Sequence, residues 1–184
     1  MDQTVHLKTP LAAEDLETLR IGDRVLLNGI IYTARDAAHG RLIEHIKRNE
    51  SLPIDLEGHV IYYVGPTPAK PGEVIGAAGP TSGYRMDPHT PALLEKGLKG
   101  MIGKGPRASA VTEAMQKHKA VSFAATGGAG ALIAQSIRSA EIVAYPDLET
   151  EAIRRLEIQD FPAIVAIDIY GGDLYETGQS RFEV

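Results

Sequence analysis

From residue 79 onward, short apolar runs alternate with helix-period stretches, and glycine-rich turns end almost every one of them. Leu98 to Ile102 reads as a strand and Ser109 to Lys119 as a helix, with Ser109 able to cap it. Ala120 to Ala125 (AVSFAA) reads as a buried strand. TGGAG at 126 to 130 then turns the chain into a small-residue helix, Ala131 to Ile137. Ile142 to Tyr145 is a further strand, Leu148 to Leu156 carries helix-forming charge pairs, and Pro162 to Tyr170 is the last strand before a tight Gly171-Gly172-Asp173 turn. Strand–helix alternation of this kind predicts parallel pairing in the second half of the chain.

The first half is richer in strands. Residues 1 to 8 alternate weakly, as an edge strand would. Thr9-Pro10 reads as a helix start, and Leu11, Leu16 and Leu19 line one face of the short helix that follows. Arg24 to Thr33 (RVLLNGIIYT) is a strand whose interior Gly29 signals a bulge or a close approach. Ala34 to Arg48 is helical by period. Gly58 to Val64 and Val74 to Ala78 read as strands. Thr90-Pro91 reads as an N-cap and first helical position, with Gly97 as the stop. The expectation is a mixed α/β layered domain, with residues 1–184 as a single unit and no internal repeat or linker.

The chemistry concentrates in GPTSGYRMDPHTPALLEKGLKGMIGKG, residues 79 to 105. Two glycine-rich turns bracket one short helix. The first offers Thr81, Ser82 and Arg85, the second Lys104 between two glycines. Glycine lets backbone approach a ligand closely, and Arg or Lys beside such turns suits a carboxylate or phosphate. The Gly-Lys-Gly loop is not a Walker loop. Leu98 stands where the first Gly belongs, and Gly105-Pro106 follows the Lys. TGGAG lacks the full dinucleotide pattern and is most simply a close helix–strand contact. Arg85 has Asp87 as its local ion-pair partner in the structural reading. Arg35 and His39, spaced i, i+4 at a strand-to-helix junction, are either a solvated charge with a satisfied His or an anion clamp, and spacing favours the first.

Composition narrows the classes. A net charge of −5 and 5% aromatic residues leave no general case for nucleic-acid binding. No apolar run reaches the roughly 20 residues of a membrane span. MDQTVHLKTP lacks the features of a signal peptide, so a cytoplasmic protein is expected. With zero cysteines there is no thiolate to ligate a metal. No two of the six histidines have the spacing of a helical zinc site, so no metal site is expected within the chain.

Residues 79–105 closely resemble the signature of the C-terminal domain of class I fumarases and of the β subunits of two-subunit fumarases and tartrate dehydratases. GIIYTARDAAHGRL at 29 to 42 resembles that family's second motif, and PAIVAIDIYGGDLY its last strand. The usual form of the first motif, GPTTSGRMDP, is varied here by Ser82 for the second Thr and by Gly83-Tyr84 before Arg85. The resemblance implies a swivelling β/β/α layered domain with mixed sheets. It implies closure on a cysteine-bearing α subunit that carries a [4Fe–4S] cluster, in a hetero-oligomer such as α2β2, without which this chain is inactive. Arg35, Arg85 and Lys104 then resemble the substrate carboxylate binders. Thr81 resembles the residue nearest the carbon that exchanges a proton, and His39 an acid/base or orienting residue. The implied reaction is the reversible hydration of fumarate to (S)-malate. The alternatives are a tartrate dehydratase β subunit and a non-catalytic anion-binding module.

Overall fold

The computed structural model describes residues 4–180. In chain order the elements are β1 (Val5–Lys8), α1 (Ala13–Thr18), β2 (Arg24–Thr33), α2 (Asp36–Lys47) and β3 (Val60–Tyr62). After a 3₁₀ turn at Gly83–Met86 come α3 (Thr90–Glu95), β4 (Gly100–Gly103), α4 (Ser109–His118), β5 (Val121–Ala124) and α5 (Gly130–Ala134). β6 (Ile137–Ala144), a second 3₁₀ turn at Pro146–Glu151, β7 (Ile153–Ile167) and α6 (Leu174–Ser180) complete the fold. It is a mixed α/β structure on one seven-stranded sheet.

Five strands, β1 to β5, run parallel and lie side by side in sequence order. Parallel pairing is thus not confined to the second half. β7 runs antiparallel to β2, β5 and β6, and by pairing with both β2 and β5 it closes the circuit β2–β3–β4–β5–β7. Inside that circuit lie Leu27, Val60, Tyr62, Ile102, Phe123 and Val165. A second core packs the opposite faces of the same strands, Ile61, Tyr63 and Met101, against Leu42 of α2, Leu93 and Leu94 of α3, and Met115 of α4. Strands covered on both faces read as unbroken apolar runs, which is what VIYYV shows at 60 to 64.

The topology places the functional loops. In parallel neighbours all carboxyl ends fall on one rim, where ligands gather in open sheets and in closed parallel barrels alike. Arg35 follows β2, the segment from Gly65 to Arg85 follows β3, Lys104 follows β4, and TGGAG follows β5. Because β7 is antiparallel, its amino end, just after Glu151, comes to the same rim.

Several local expectations are corrected. The first helix starts at Ala13 with Ala12 as N-cap, not at Thr9-Pro10, whose peptide bond is cis. Val74 to Ala78 is not a strand. That loop is tied to itself, Ala77 N–H donating to Thr67 Oγ1 at 2.8 Å and Thr67 N–H to the Ala77 carbonyl. His89, not Thr90, precedes α3, and Ala108, not Ser109, precedes α4. The helix after TGGAG ends at Ala134, and Ile137 already belongs to β6. Leu148 to Leu156 is not a helix, since the chain makes a 3₁₀ turn and enters β7 at Ile153. Ladders to β2 and β6 on both sides of that strand outweigh the weak helical preference of its charge pairs. Gly29 behaves as its sequence position implies. It lies at a register shift with φ 105, and a Cβ there would sit 2.7 Å from Thr9 Oγ1.

Candidate active site

The rim begins where β2 hands over to α2. Arg35 occupies the N-cap position of α2 in an extended conformation, and Asp36 is the first helical residue. A carboxylate there favours the positive end of the helix. Arg35 Nη2 lies 3.7 Å from Asp36 Oδ2 and 3.4 Å from Glu151 Oε1. Glu151 also accepts the Ala37 N–H through Oε2 at 3.0 Å, serving an amide that the helix itself leaves open. The Arg35 guanidinium lies against Gly65, where a Cβ would be 2.8 Å from Nη1. Its Nε is buried and has no partner among the described residues.

Arg85 reaches the same place from the other motif. It stands in the 3₁₀ turn at Gly83–Met86, and its Nε donates to Asp36 Oδ1 at 2.9 Å. Asp36 therefore joins two guanidiniums that are 50 residues apart in sequence. The partner of Arg85 is Asp36, not Asp87. Asp87 faces the other way, accepting from Arg107 Nε at 2.6 Å and from the Ala108 N–H at 2.7 Å. Arg107 is almost fully enclosed, with a side chain 1% exposed. It also donates to Thr90 Oγ1 at 2.9 Å, and its guanidinium faces the Tyr63 ring. Arg107 is thus a strut beneath the turn that displays Arg85.

Thr81 and Lys104 are brought together by backbone. Thr81 N–H donates to the Tyr63 carbonyl at 2.7 Å, Lys104 N–H to the Thr81 carbonyl at 3.3 Å, and Gly83 N–H to the Lys104 carbonyl at 2.8 Å. This continues the β3–β4 ladder past the ends of its strands. Gly103 has to be small, since a Cβ would meet Tyr63 at 2.9 Å. The exposed Lys104 side chain runs over Gly127 of TGGAG, and Gly105 N–H donates to the Tyr175 hydroxyl at 2.8 Å. The TGGAG segment makes the close contact its glycines suggest. Ala78 N–H donates to the Gly130 carbonyl, and a Cβ on Gly130 would meet Gly79 N at 2.9 Å.

His39 lies below the rim with no exposed surface. Its Nδ1–H donates to the Arg35 carbonyl at 2.9 Å, because a carbonyl can only accept. Nε2 is buried and has no partner among the described residues. The ring packs edge-on against Tyr63 and near His89. Burial pushes its pKa down to about 4; nearby His89 and Arg107 add to this, and the Arg35 carbonyl opposes it.

The structure thus gathers Arg35 and Arg85 around one carboxylate, links Thr81 to Lys104 through a shared ladder, and sets His39 beneath Arg35. Sequence reasoning missed Asp36, Glu151 and Arg107. Asp36 was visible only as the residue after Arg35. Glu151 lay inside a stretch that reads as helix, and Arg107 carries no motif signal.

The sequence matches the fumarase C-terminus family over residues 1–178. It is 38% identical over 180 residues to a class I, aerobic fumarate hydratase of Salmonella typhimurium, covering 96% of this chain and 31% of that protein. It is 35% identical over 175 residues to fumarate hydratase 2 of Leishmania major, covering 93% of this chain and 31% of the relative. A Methanocaldococcus jannaschii protein, provisionally named an L(+)-tartrate dehydratase subunit beta, is 37% identical over 172 residues, with 90% of this chain and 88% of that one covered. The chain spans about a third of the length of the fumarate hydratases it matches, and most of the length of the β-subunit relative. With its motifs on one rim and its match running through nearly the whole sequence, the chain belongs to the fumarase C-terminal family.

Proposed function

We propose that this chain is the β subunit of an iron–sulfur hydro-lyase that interconverts fumarate and (S)-malate. The observation that carries the reading is the meeting of Arg35 and Arg85 on Asp36, at the rim that also holds Thr81 and Lys104. A dicarboxylate needs cations from more than one direction, and these come from three different loops. When a proton leaves the carbon beside a carboxylate, negative charge builds on that carboxylate. Cations already fixed in place stabilise it without reorganising. Thr81 offers a half-buried hydroxyl for the proton-transfer side, and a second group must then accept its proton. His39, enclosed and bonded to the Arg35 carbonyl, fits an orienting role better than exchange with solvent.

The iron–sulfur cluster does not fit the residues of this chain. Cysteine is absent, and among the described residues no group of three His, Asp or Glu could hold a metal. In this proposal the cluster belongs to a partner α subunit. The chain acts as one swivelling β/β/α unit that closes on that partner, in the cytoplasm. Among the described residues no helix is long and apolar enough to cross a membrane.

The test is reconstitution with a cysteine-bearing partner under anaerobic conditions, followed by assay with fumarate, (S)-malate and tartrate. Turnover of fumarate and malate is expected. Turnover of tartrate alone would favour the second reading, a tartrate dehydratase β subunit, in line with the name that the archaeal relative carries. Tight dicarboxylate binding by this chain alone, with no turnover in any pair, would favour an anion-binding module.

A further inference from the structure

We propose that Asp36 and Glu151 are positioning residues, a pair of carboxylates that hold Arg35 and Arg85 by one edge each. The inference rests on the reading of the rim as a dicarboxylate site. Arg85 is held through Nε, by Asp36 Oδ1. Among the described residues its two terminal nitrogens have no hydrogen-bond partner. Arg35 is held through Nη2, by Glu151 and Asp36, with Nη1 against Gly65. Its buried Nε has no partner among the described residues. Arg85 is therefore fixed through Nε with its terminal nitrogens left over, and Arg35 through Nη2 with Nε left over. A planar group with five donors can be restrained and still accept a ligand carboxylate.

Glu151 is built to be rigid. The 3₁₀ turn that carries it includes Glu149 at φ 52 and follows Tyr145 at φ 53, both in the left-handed region. Arg154 ties the turn down by donating to the carbonyls of Glu149, Thr150 and Ala152. Thr33 adds two bonds, donating from Oγ1 to the Ala152 carbonyl and accepting the Arg154 N–H. Arg41 of α2 forms a two-pronged pair with Asp147. Such a scaffold is more than a surface turn requires, and its output is one carboxylate set between the start of α2 and Arg35.

A carboxylate beside a binding arginine could act in either of two ways. As a positioning group it lowers the cost of ordering the guanidinium. As a competitor it occupies donors that the substrate needs. The two roles move KM in opposite directions.

The isosteric variants Asp36→Asn and Glu151→Gln, each in the reconstituted pair, separate them. Positioning predicts a KM for the dicarboxylate raised about tenfold in each, the loss of one charge-assisted contact, with kcat changed less than threefold. An unchanged or lowered KM overturns the proposal. A second measurement uses the chain alone. In ¹⁵N-resolved arginine side-chain spectra, the Nε–H of Arg85 should exchange with water several-fold faster in Asp36→Asn, with backbone signals elsewhere unmoved. Equal exchange in the two proteins overturns it independently of any assay. If the wild-type pair turns over neither fumarate nor tartrate, the functional reading fails, while the exchange measurement still decides whether Asp36 holds Arg85.

Discussion

Arg85 and Arg107 are 22 residues apart and do opposite things. Arg85 has a side chain 42% exposed, and its terminal nitrogens have no hydrogen-bond partner among the described residues. Its ion pair with Asp36 contributes little to stability at that exposure. Arg85→Ala should therefore leave the unfolding midpoint nearly unchanged while kcat/KM in the reconstituted pair falls on the order of 100-fold, read by initial rates. Arg107 is buried against Asp87, and removing one member of such a pair leaves a buried charge alone. Arg107→Ala should cost about 3–5 kcal/mol, measured by urea unfolding. The motif made Arg85 legible, but its assigned partner was wrong. Two residues apart across a 3₁₀ turn, Arg85 and Asp87 face different sides, and only the tertiary fold supplies Asp36. Nothing in the residues around Arg107 tells an enclosed strut from a solvated cation.

His39 adds a pH signature at the same scale. The unfolded chain protonates this imidazole near 6.5 and the folded chain only near 4. Between those values the unfolded state binds more protons, so acid favours unfolding. The contribution is complete above about pH 6.5 and declines toward pH 4, by roughly 3 kcal/mol in all. Urea midpoints measured from pH 8 to pH 4 should show this slope, and His39→Asn should flatten it.

At the scale of elements, the strands with strong apolar runs were readable. β2, β4 and β5 fall within a residue or two of expectation, because short, mostly apolar runs bounded by turn or helix signals have few other solutions. β7 was only half visible. Its first part, IRRLEIQD, is charged and helix-compatible locally, and pairing with β2 and β6 makes it a strand. The turn that holds Glu151 disappeared along with it. α5 illustrates a feature that is readable in kind but not in consequence. TGGAG announced a close approach, read as helix against strand, whereas the other side is the Ala78-Gly79 loop leading to Thr81. Gly130→Ala should force backbone against backbone, lowering stability by about 1–3 kcal/mol in thermal or urea melts and reducing activity in the pair through Thr81.

At the scale of the molecule, the rim gathers residues from loops that no local pattern joins. Their convergence follows from five parallel neighbours and one antiparallel closing strand, and the order of those strands is what the sequence leaves unstated. If, as proposed, the cluster belongs to a partner chain, the purified chain will not hydrate fumarate, and activity will appear only on adding that partner. Spectrophotometric assay of the two chains apart and mixed checks this.

The closing strand has one more consequence, for the order in which the protein is born. β7 leaves the ribosome after the other six described strands, and Glu151 just ahead of it. Until both have emerged, β2 lacks its antiparallel neighbour and Arg35 lacks one of its two carboxylates. A nascent chain halted before residue 150 thus carries both signature motifs and still lacks a finished rim. Maturation of the site waits for β7 to emerge, and a partner that reads the finished rim can recognise it only after that.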